Sequence, residues 1–467
     1  MGEEAPARTS KKMGKENVQI HSKLTVVPSK AVAPGKFYPL SVLDHMMQLH
    51  NVGLVYYYRE ALTTATSTDV VMDLKVSLSR VLSSYPAVCG RLQRRNDGNW
   101  EIRCSDAGVR VLEAKVDMTL EKWFEVADRD SELKLCYWET VGQDPYISSL
   151  FCVQFTEFEG GGLAIGLSCG HMLADPSCAT LIMKAWGETH RRAQVLHPPF
   201  FHPPGLKARP NKCEVTTATK YYESTFKREL ATSCDQGDAG YKTTIFKFSD
   251  EMVQQCVSEV QGGDHKYEPV TPFQALSALF WIACTKAKGI TGAEESKLSV
   301  CSEFRKIIIA PLPHGFFGNA LHFSEVSSSA GDLVGNDLSY PAKLIHDDIF
   351  RLDKDELRSV VEWLDKQKNS DGQLPPPFYL YGPNLTAVNG EEFFTYDAVF
   401  EKELKPLHVS YYVEPVHGEG LIMVLPSAEA GSSRTVMVTL PATQASQLSM
   451  DPALLRFSPT IWMNNVA

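Results

Sequence analysis

From Phe37 onward, the spacing of hydrophobic positions alternates between a strand-like and a helix-like period. The run Gly53-Leu-Val-Tyr-Tyr-Tyr58 is rich in β-formers and predicts a strand. Between Thr68 and Ser83, Val71, Leu74, Leu78 and Leu82 fall at helical spacing behind Asp69, which predicts a helix. Pro86–Leu92 and Trp100–Cys104 predict a strand pair turned at Asn96-Asp97-Gly98-Asn99. Leu150–Thr156 and Leu163–Cys169 predict a second pair, followed by a helix-period stretch over Ala179–Glu188. In the second half, a strand is predicted at Lys242–Phe248, a helix from Asp250, and a strongly apolar helix over Thr271–Lys286 with Pro272 in its first turn. Residues 324–342 are rich in Ser, Gly and Asp and predict a loop. Ile345–Gln367 predicts one charged amphipathic helix, and Val409–Val413, Leu421–Leu425 and Thr435–Leu440 predict strands.

This order of elements predicts a mixed α/β protein in two similar-sized halves. Residues 1–30 are polar and read as a disordered tail. An N-terminal domain is expected over 31–195 and a C-terminal domain over 226–467. Between them, residues 196–225 are rich in proline and polar residues, the composition of a crossover linker.

Composition narrows the function classes. The chain has 467 residues and a formal net charge of −10, which argues against phosphate-backbone recognition and so against a nucleic-acid partner. The eleven cysteines are scattered without a CxxC pair, and no His/Cys/carboxylate spacing suggests a metal site. Buried, reduced cysteine is the expectation. No Gly-rich loop suggests a nucleotide cradle. The first residues contain no apolar signal core, and the most apolar stretch, Phe273–Cys284, falls far short of the roughly 20 residues of a membrane span.

The segment with most chemistry in it is Gly170-His171-Met-Leu-Ala-Asp175-Pro176. It places His171 on the turn leaving a predicted strand. A neutral imidazole there can take a proton from a hydroxyl or amine near neutral pH. Simpler roles exist for both residues. A histidine in an apolar stretch is often a hydrogen-bonded core residue, and Asp before Pro is a good helix start. The local pattern leaves both readings open.

Resemblance along the whole chain adds to this. Leu40-Ser41-Val42-Leu43-Asp44, Tyr85-Pro86-Ala87-Val88-Cys89-Gly90-Arg91-Leu92 and the HxxxD segment resemble the signatures of plant BAHD acyltransferases, in the family's order. So do Phe273–Trp281, Glu303-Phe304-Arg305 and Pro311–Asn319. The resemblance implies two chloramphenicol-acetyltransferase-like domains with an interdomain channel and His171 at its middle. It implies acyl-CoA as a substrate, with no tightly bound cofactor. His171 would be the general base and Asp175 the second catalytic-motif residue. Arg305 would pair with Asp175 in a buried, bidentate contact, and Asn319 would support the site. Departures are also visible. Pro176 stands where the family usually has glycine, and Phe400-Glu401-Lys402-Glu403-Leu404 stands where DFGWG is expected before Lys405-Pro406.

Ile102–Val116, Glu121–Phe124 and Tyr381–Asn389 resemble the Glossy/ECERIFERUM wax branch of that family. This narrower resemblance implies a role in very-long-chain fatty acid elongation for cuticular wax or pollen coat. The partner would be an elongase condensing enzyme, a ketoacyl-CoA synthase. The protein would be a monomer on its own, in the cytosol or peripheral to the cytoplasmic face of the endoplasmic reticulum. The other reading is a working O- or N-acyltransferase with His171 as base.

Overall fold

A computed structural model describes residues 18–33, 35–59, 69–139, 145–201, 216–231, 240–262, 269–307, 313–402 and 404–462. Two large sheets organise it. The first has six strands in the order Gln19–Val26, Val109–Thr119, Phe151–Glu159, Leu163–Gly170, Asn51–Tyr58, His408–Glu414. All its pairs are antiparallel except Val109–Thr119 with Phe151–Glu159. Helices Val70–Leu82 and Pro176–His190 pack on each other beside it. The second sheet has seven strands in the order Leu321–Ser329, Glu295–Glu303, Leu385–Asn389, Leu421–Pro426, Arg434–Pro441, Tyr241–Phe248, Thr460–Trp462. Helix Pro272–Lys288 packs beneath this sheet and touches helices Asp250–Gln261, Ser339–Arg351 and Ala442–Leu448.

That central helix shows why its sequence is apolar all round. Every side chain from Phe273 to Thr285 is buried. Thr271 and Gln274 cap its start reciprocally, Pro272 occupies the first turn, and Gly289 ends it with φ +77°.

The halves are interlocked. Strand His408–Glu414 crosses into the first sheet and pairs residue for residue with Asn51–Tyr57. One hydrophobic core runs through both halves, from Val26 to Met437, and a second lies under the seven-stranded sheet. The segment 385–400 divides. Its strand Leu385–Asn389 stays in the second sheet, while Phe394 donates to Thr180 Oγ1 at 3.2 Å and Phe400 packs edge-on to Trp186.

Gly187 marks where this segment meets the helix Pro176–His190. A Cβ there would lie 2.5 Å from the Val399 carbonyl oxygen. Gly187→Ala is therefore expected to destabilise the protein by about 1–3 kcal/mol, as overpacking does. The urea midpoint measures it, and an unchanged midpoint would mean the backbone yields freely.

Several sequence expectations need correction. Residues 19–26, inside the expected tail, form an edge strand paired with Val109–Lys115. Its mostly exposed side chains explain its polar composition. Residues 1–17 lie outside the described residues. The expected linker 196–225 already contains the start of helix Lys220–Ala231, with Tyr221, Tyr222 and Thr225 buried on one face; residues 202–215 lie outside the description. The expected loop 324–342 holds most of the strand Leu321–Ser329, the helix Ala330–Gly335 and the start of another helix. The single helix expected at Ile345–Gln367 is two, Ser339–Arg351 and Lys354–Lys366. The break falls where Asp353 accepts from the Asp355 and Glu356 amides and starts the second. Pro86–Gly90 is a buried turn, and the strand there runs only over Arg91–Arg94.

Candidate functional site

Strand Leu163–Gly170 delivers His171 to a tight turn before helix Pro176–His190. The His171 amide donates to the His50 carbonyl at 3.0 Å, which fixes the turn to the neighbouring strand's entry. The imidazole is 0% exposed. Its Nε2 lies 3.0 Å from the Tyr381 hydroxyl, and its Nδ1 has no hydrogen-bond partner among the described residues. Burial lowers the His171 pKa below the ordinary histidine value, while Asp175, Asn319 and Asp44 pull the other way. The ring is therefore neutral at pH 7.

Asp175 starts the next helix. Its Oδ1 accepts from the Cys178 amide at 2.9 Å and its Oδ2 from the Ala320 amide at 3.0 Å. Arg305 sits just beyond strand Glu295–Glu303 and reaches both Asp175 oxygens through one nitrogen, Nη2, at 3.1 and 2.9 Å. The expected two-nitrogen fork is absent because Nη1 turns to Glu303 at 2.5 Å. Burial works against the Arg305 charge, but Asp175, Cys178 and Glu303 hold its pKa above the ordinary value. Burial raises the Glu303 pKa, opposed by Arg305. Among the described residues, none of the Asp175 hydrogen bonds goes to the His171 ring.

Asn319 supports the other flank. Its Nδ2 donates to the His171 carbonyl and to Asp44 Oδ1, both at 2.8 Å, and its amide reaches the same Asp44 oxygen at 3.0 Å. Asp44 Oδ2 in turn accepts from the Ser41 amide and hydroxyl at 2.7 and 2.6 Å. The fold thus gathers His171, Asp175, Arg305 and Asn319, the four residues singled out from sequence, from two distant parts of the chain. It adds Asp44, His50 and Tyr381. Asp44 has a local signal, the Ser41-x-x-Asp44 capping box. Tyr381 has none.

A cavity of about 410 Å³ lies against the turn, lined by Leu40, His50, Trp100, Ile102, Met172 and Leu173 among others, and the enclosed His171 is not part of its lining. Among the described residues, no group of three or more His, Cys, Asp or Glu is placed to hold a metal, and no helix is long and apolar enough to cross a membrane.

The profile of the Transferase family matches residues 16–455. The chain belongs to this family, the plant BAHD acyltransferases. It is 28% identical to Protein ECERIFERUM 2 of Arabidopsis thaliana over 440 residues, covering 91% of this chain and 95% of that one. It is 26% identical to Protein ECERIFERUM 26-like of the same plant over 431 residues, covering 91% and 93%. Shikimate O-hydroxycinnamoyltransferase of Nicotiana tabacum is 25% identical over 429 residues, covering 90% and 95%. Among solved structures, vinorine synthase superposes with a TM-score of 0.68 at 19% identity, covering 94% of this chain and 98% of its own. F. sporotrichioides TRI101, solved with coenzyme A and T-2, reaches 0.74 at 14% identity, covering 91% and 100%. At these identities the structures speak for the fold alone.

Two positions depart from the pattern that the resemblance implied. Pro176 sits at the first position of its helix, where its missing N–H costs nothing. Phe400, in the segment where DFGWG is expected, is buried edge-on to Trp186, His190 and Tyr58. Packing is thus kept there with an aromatic ring and no glycine. Glu401 is half-buried and Lys402 exposed, while Glu403 lies outside the described residues.

Proposed function

We propose that this BAHD protein promotes very-long-chain fatty acid elongation, for cuticular wax or pollen-coat lipid, together with a ketoacyl-CoA synthase at the cytoplasmic face of the endoplasmic reticulum. In this reading His171 does not turn over acyl groups. The observation that carries it is the enclosed imidazole, whose Nε2 is engaged by the Tyr381 hydroxyl. Likeness to two ECERIFERUM proteins supports it. The exposed and half-buried charges after Phe400 are a candidate rim for the partner contact.

One observation favours a second reading, an acyl-CoA-dependent O- or N-acyltransferase with His171 as base. The frame of Asp175, Arg305 and Asn319 around the histidine is complete.

Co-expression with condensing enzymes in yeast, read as fatty-acid chain lengths by chromatography, separates the two. Lengthening beyond that of the condensing enzyme alone is expected, and His171→Ala should retain most of it. Loss of a working general base would instead reduce the rate by about 10²–10⁴. Complete loss of lengthening in a stably expressed His171→Ala protein would return the function to acyl transfer.

A further inference from the structure

We propose that Tyr381 is a lock on His171, a positioning residue whose hydroxyl occupies the nitrogen that an acceptor would need and so keeps a formed general base out of use. The separation of 3.0 Å between Nε2 and the phenol oxygen is the distance at which a general base meets the hydroxyl it deprotonates. An acceptor hydroxyl would have to stand where the phenol stands. Whichever of the two groups carries the bridging hydrogen, Nε2 is engaged.

The phenol is held there by contacts that do not involve His171. Its ring is fully buried, edge-on to Phe323 at 4.9 Å and to His50 at 5.0 Å. The backbone before it is tied down on both sides. The Leu380 carbonyl accepts from the Tyr221 hydroxyl at 2.6 Å, and the Leu380 amide donates to His50 Nε2 at 3.4 Å. After it, Gly382 turns with φ +95°, and a Cβ there would lie 1.9 Å from the His417 carbonyl oxygen. Only glycine fits that turn. Its amide donates to Thr386 Oγ1 at 3.2 Å and its carbonyl accepts from the Glu419 amide at 2.8 Å. The strap is therefore built to lie across the histidine. Burial also pushes the Tyr381 pKa well above the ordinary tyrosine value, with the buried Cys301 thiol and Asp175 adding to it. The phenol stays protonated and inert. Behind the lock, Asn319 and the Asp175–Arg305 pair hold the turn in place as a working site would require.

The lock concerns the chemistry of the histidine and does not rest on the elongation reading. Removing it should expose acyl transfer that depends on His171. The purified full chain is incubated with acetyl-CoA or palmitoyl-CoA and a small alcohol, and free CoA is measured by chromatography. Tyr381→Ala, which opens the space over Nε2, is expected to release CoA about tenfold faster than the unaltered protein or more. The rate should fall as pH drops through the histidine titration. Adding His171→Ala to Tyr381→Ala should return release to the starting level. Tyr381→Phe keeps the ring packing and removes only the hydroxyl. It should give a smaller gain with the same His171 dependence, and a shifted His171 Nε2 resonance in a ¹⁵N-histidine spectrum. It carries the test if Tyr381→Ala does not fold. A folded variant without the hydroxyl that releases no more CoA than the unaltered protein overturns the lock, as does a gain that survives loss of His171.

Discussion

Asp175→Ala should destabilise this protein by about 3–5 kcal/mol, far more than His171→Ala does. Asp175 is 0% exposed and Arg305 is 7% exposed, so the pair sits away from water. Deleting the carboxylate strands the guanidinium, with only Glu303 left as counter-charge. It also removes the cap from helix Pro176–His190 and the acceptor of the Ala320 amide. Several losses therefore fall on one residue. His171→Ala gives up one side-chain hydrogen bond, to Tyr381, worth about 0.5–1.5 kcal/mol, and a modest volume. Thermal melts of the two variants compare them directly. Equal melting temperatures would mean that the pair contributes little to holding the halves together.

Acid should weaken the fold well before its carboxylates are protonated, and His322 should be one of the buried histidines responsible. His322 is buried beside Tyr222, and burial lowers its pKa from 6.5 to about 3. The unfolded chain takes up that proton near pH 6.5, whereas the folded chain does not until about pH 3. The unfolded state therefore binds more protons in this window, and stability falls as pH falls through it. At pH 5 the loss from this one group is about 2 kcal/mol. Burial likewise lowers the pKa values of His50 and His408, which act in the same direction. Glu132 and Glu303, raised by burial, act in the opposite direction. The comparison that isolates His322 is the urea stability at pH 7.5 and pH 5 for the unaltered protein and for His322→Gln. The variant should lose about 2 kcal/mol less over that interval. Identical pH dependence in the two would sink the prediction.

How much of this was legible in the sequence depends on how local each feature is. Asp175 followed by Pro176 is a local helix start, and it is one in the structure. The helix Pro272–Lys288 announces itself through Thr271, Pro272, Gly289 and an unbroken apolar run. The strand Gln19–Val26 was hidden because it lies at a sheet edge with most of its side chains in water, so its composition resembles a tail. The Ser-rich strand Leu321–Ser329 is also the outermost of its sheet, and it was hidden because its serines mask the strand pattern, although only Ser327 is exposed. The split between the helices Ser339–Arg351 and Lys354–Lys366 did carry a signal, the Asp353-x-x-Glu356 start, but a continuous amphipathic pattern covered it. The site divides in the same way. The HxxxD turn is one short segment. The hydroxyl facing His171 comes from 210 residues away, and no periodicity records such a meeting.

The strand exchanged between the halves has a consequence for how the chain is made. The Tyr58 hydroxyl finds its acceptor on Ala398, 340 residues later, and strand Asn51–Tyr58 gains its outer neighbour only with His408–Glu414. At roughly 5–20 residues per second, a ribosome needs about 20–70 s to supply that distance. For that time the nascent first half carries an open sheet margin next to Tyr56, Tyr57 and Tyr58. An unpaired margin of that kind is a template for joining the wrong chain. Folding of the first half cannot finish before His408–Glu414 has been made. Yield in the cell should therefore depend on chaperones that hold the early product until His408–Glu414 has emerged, and fragments ending before His408 should aggregate rather than fold.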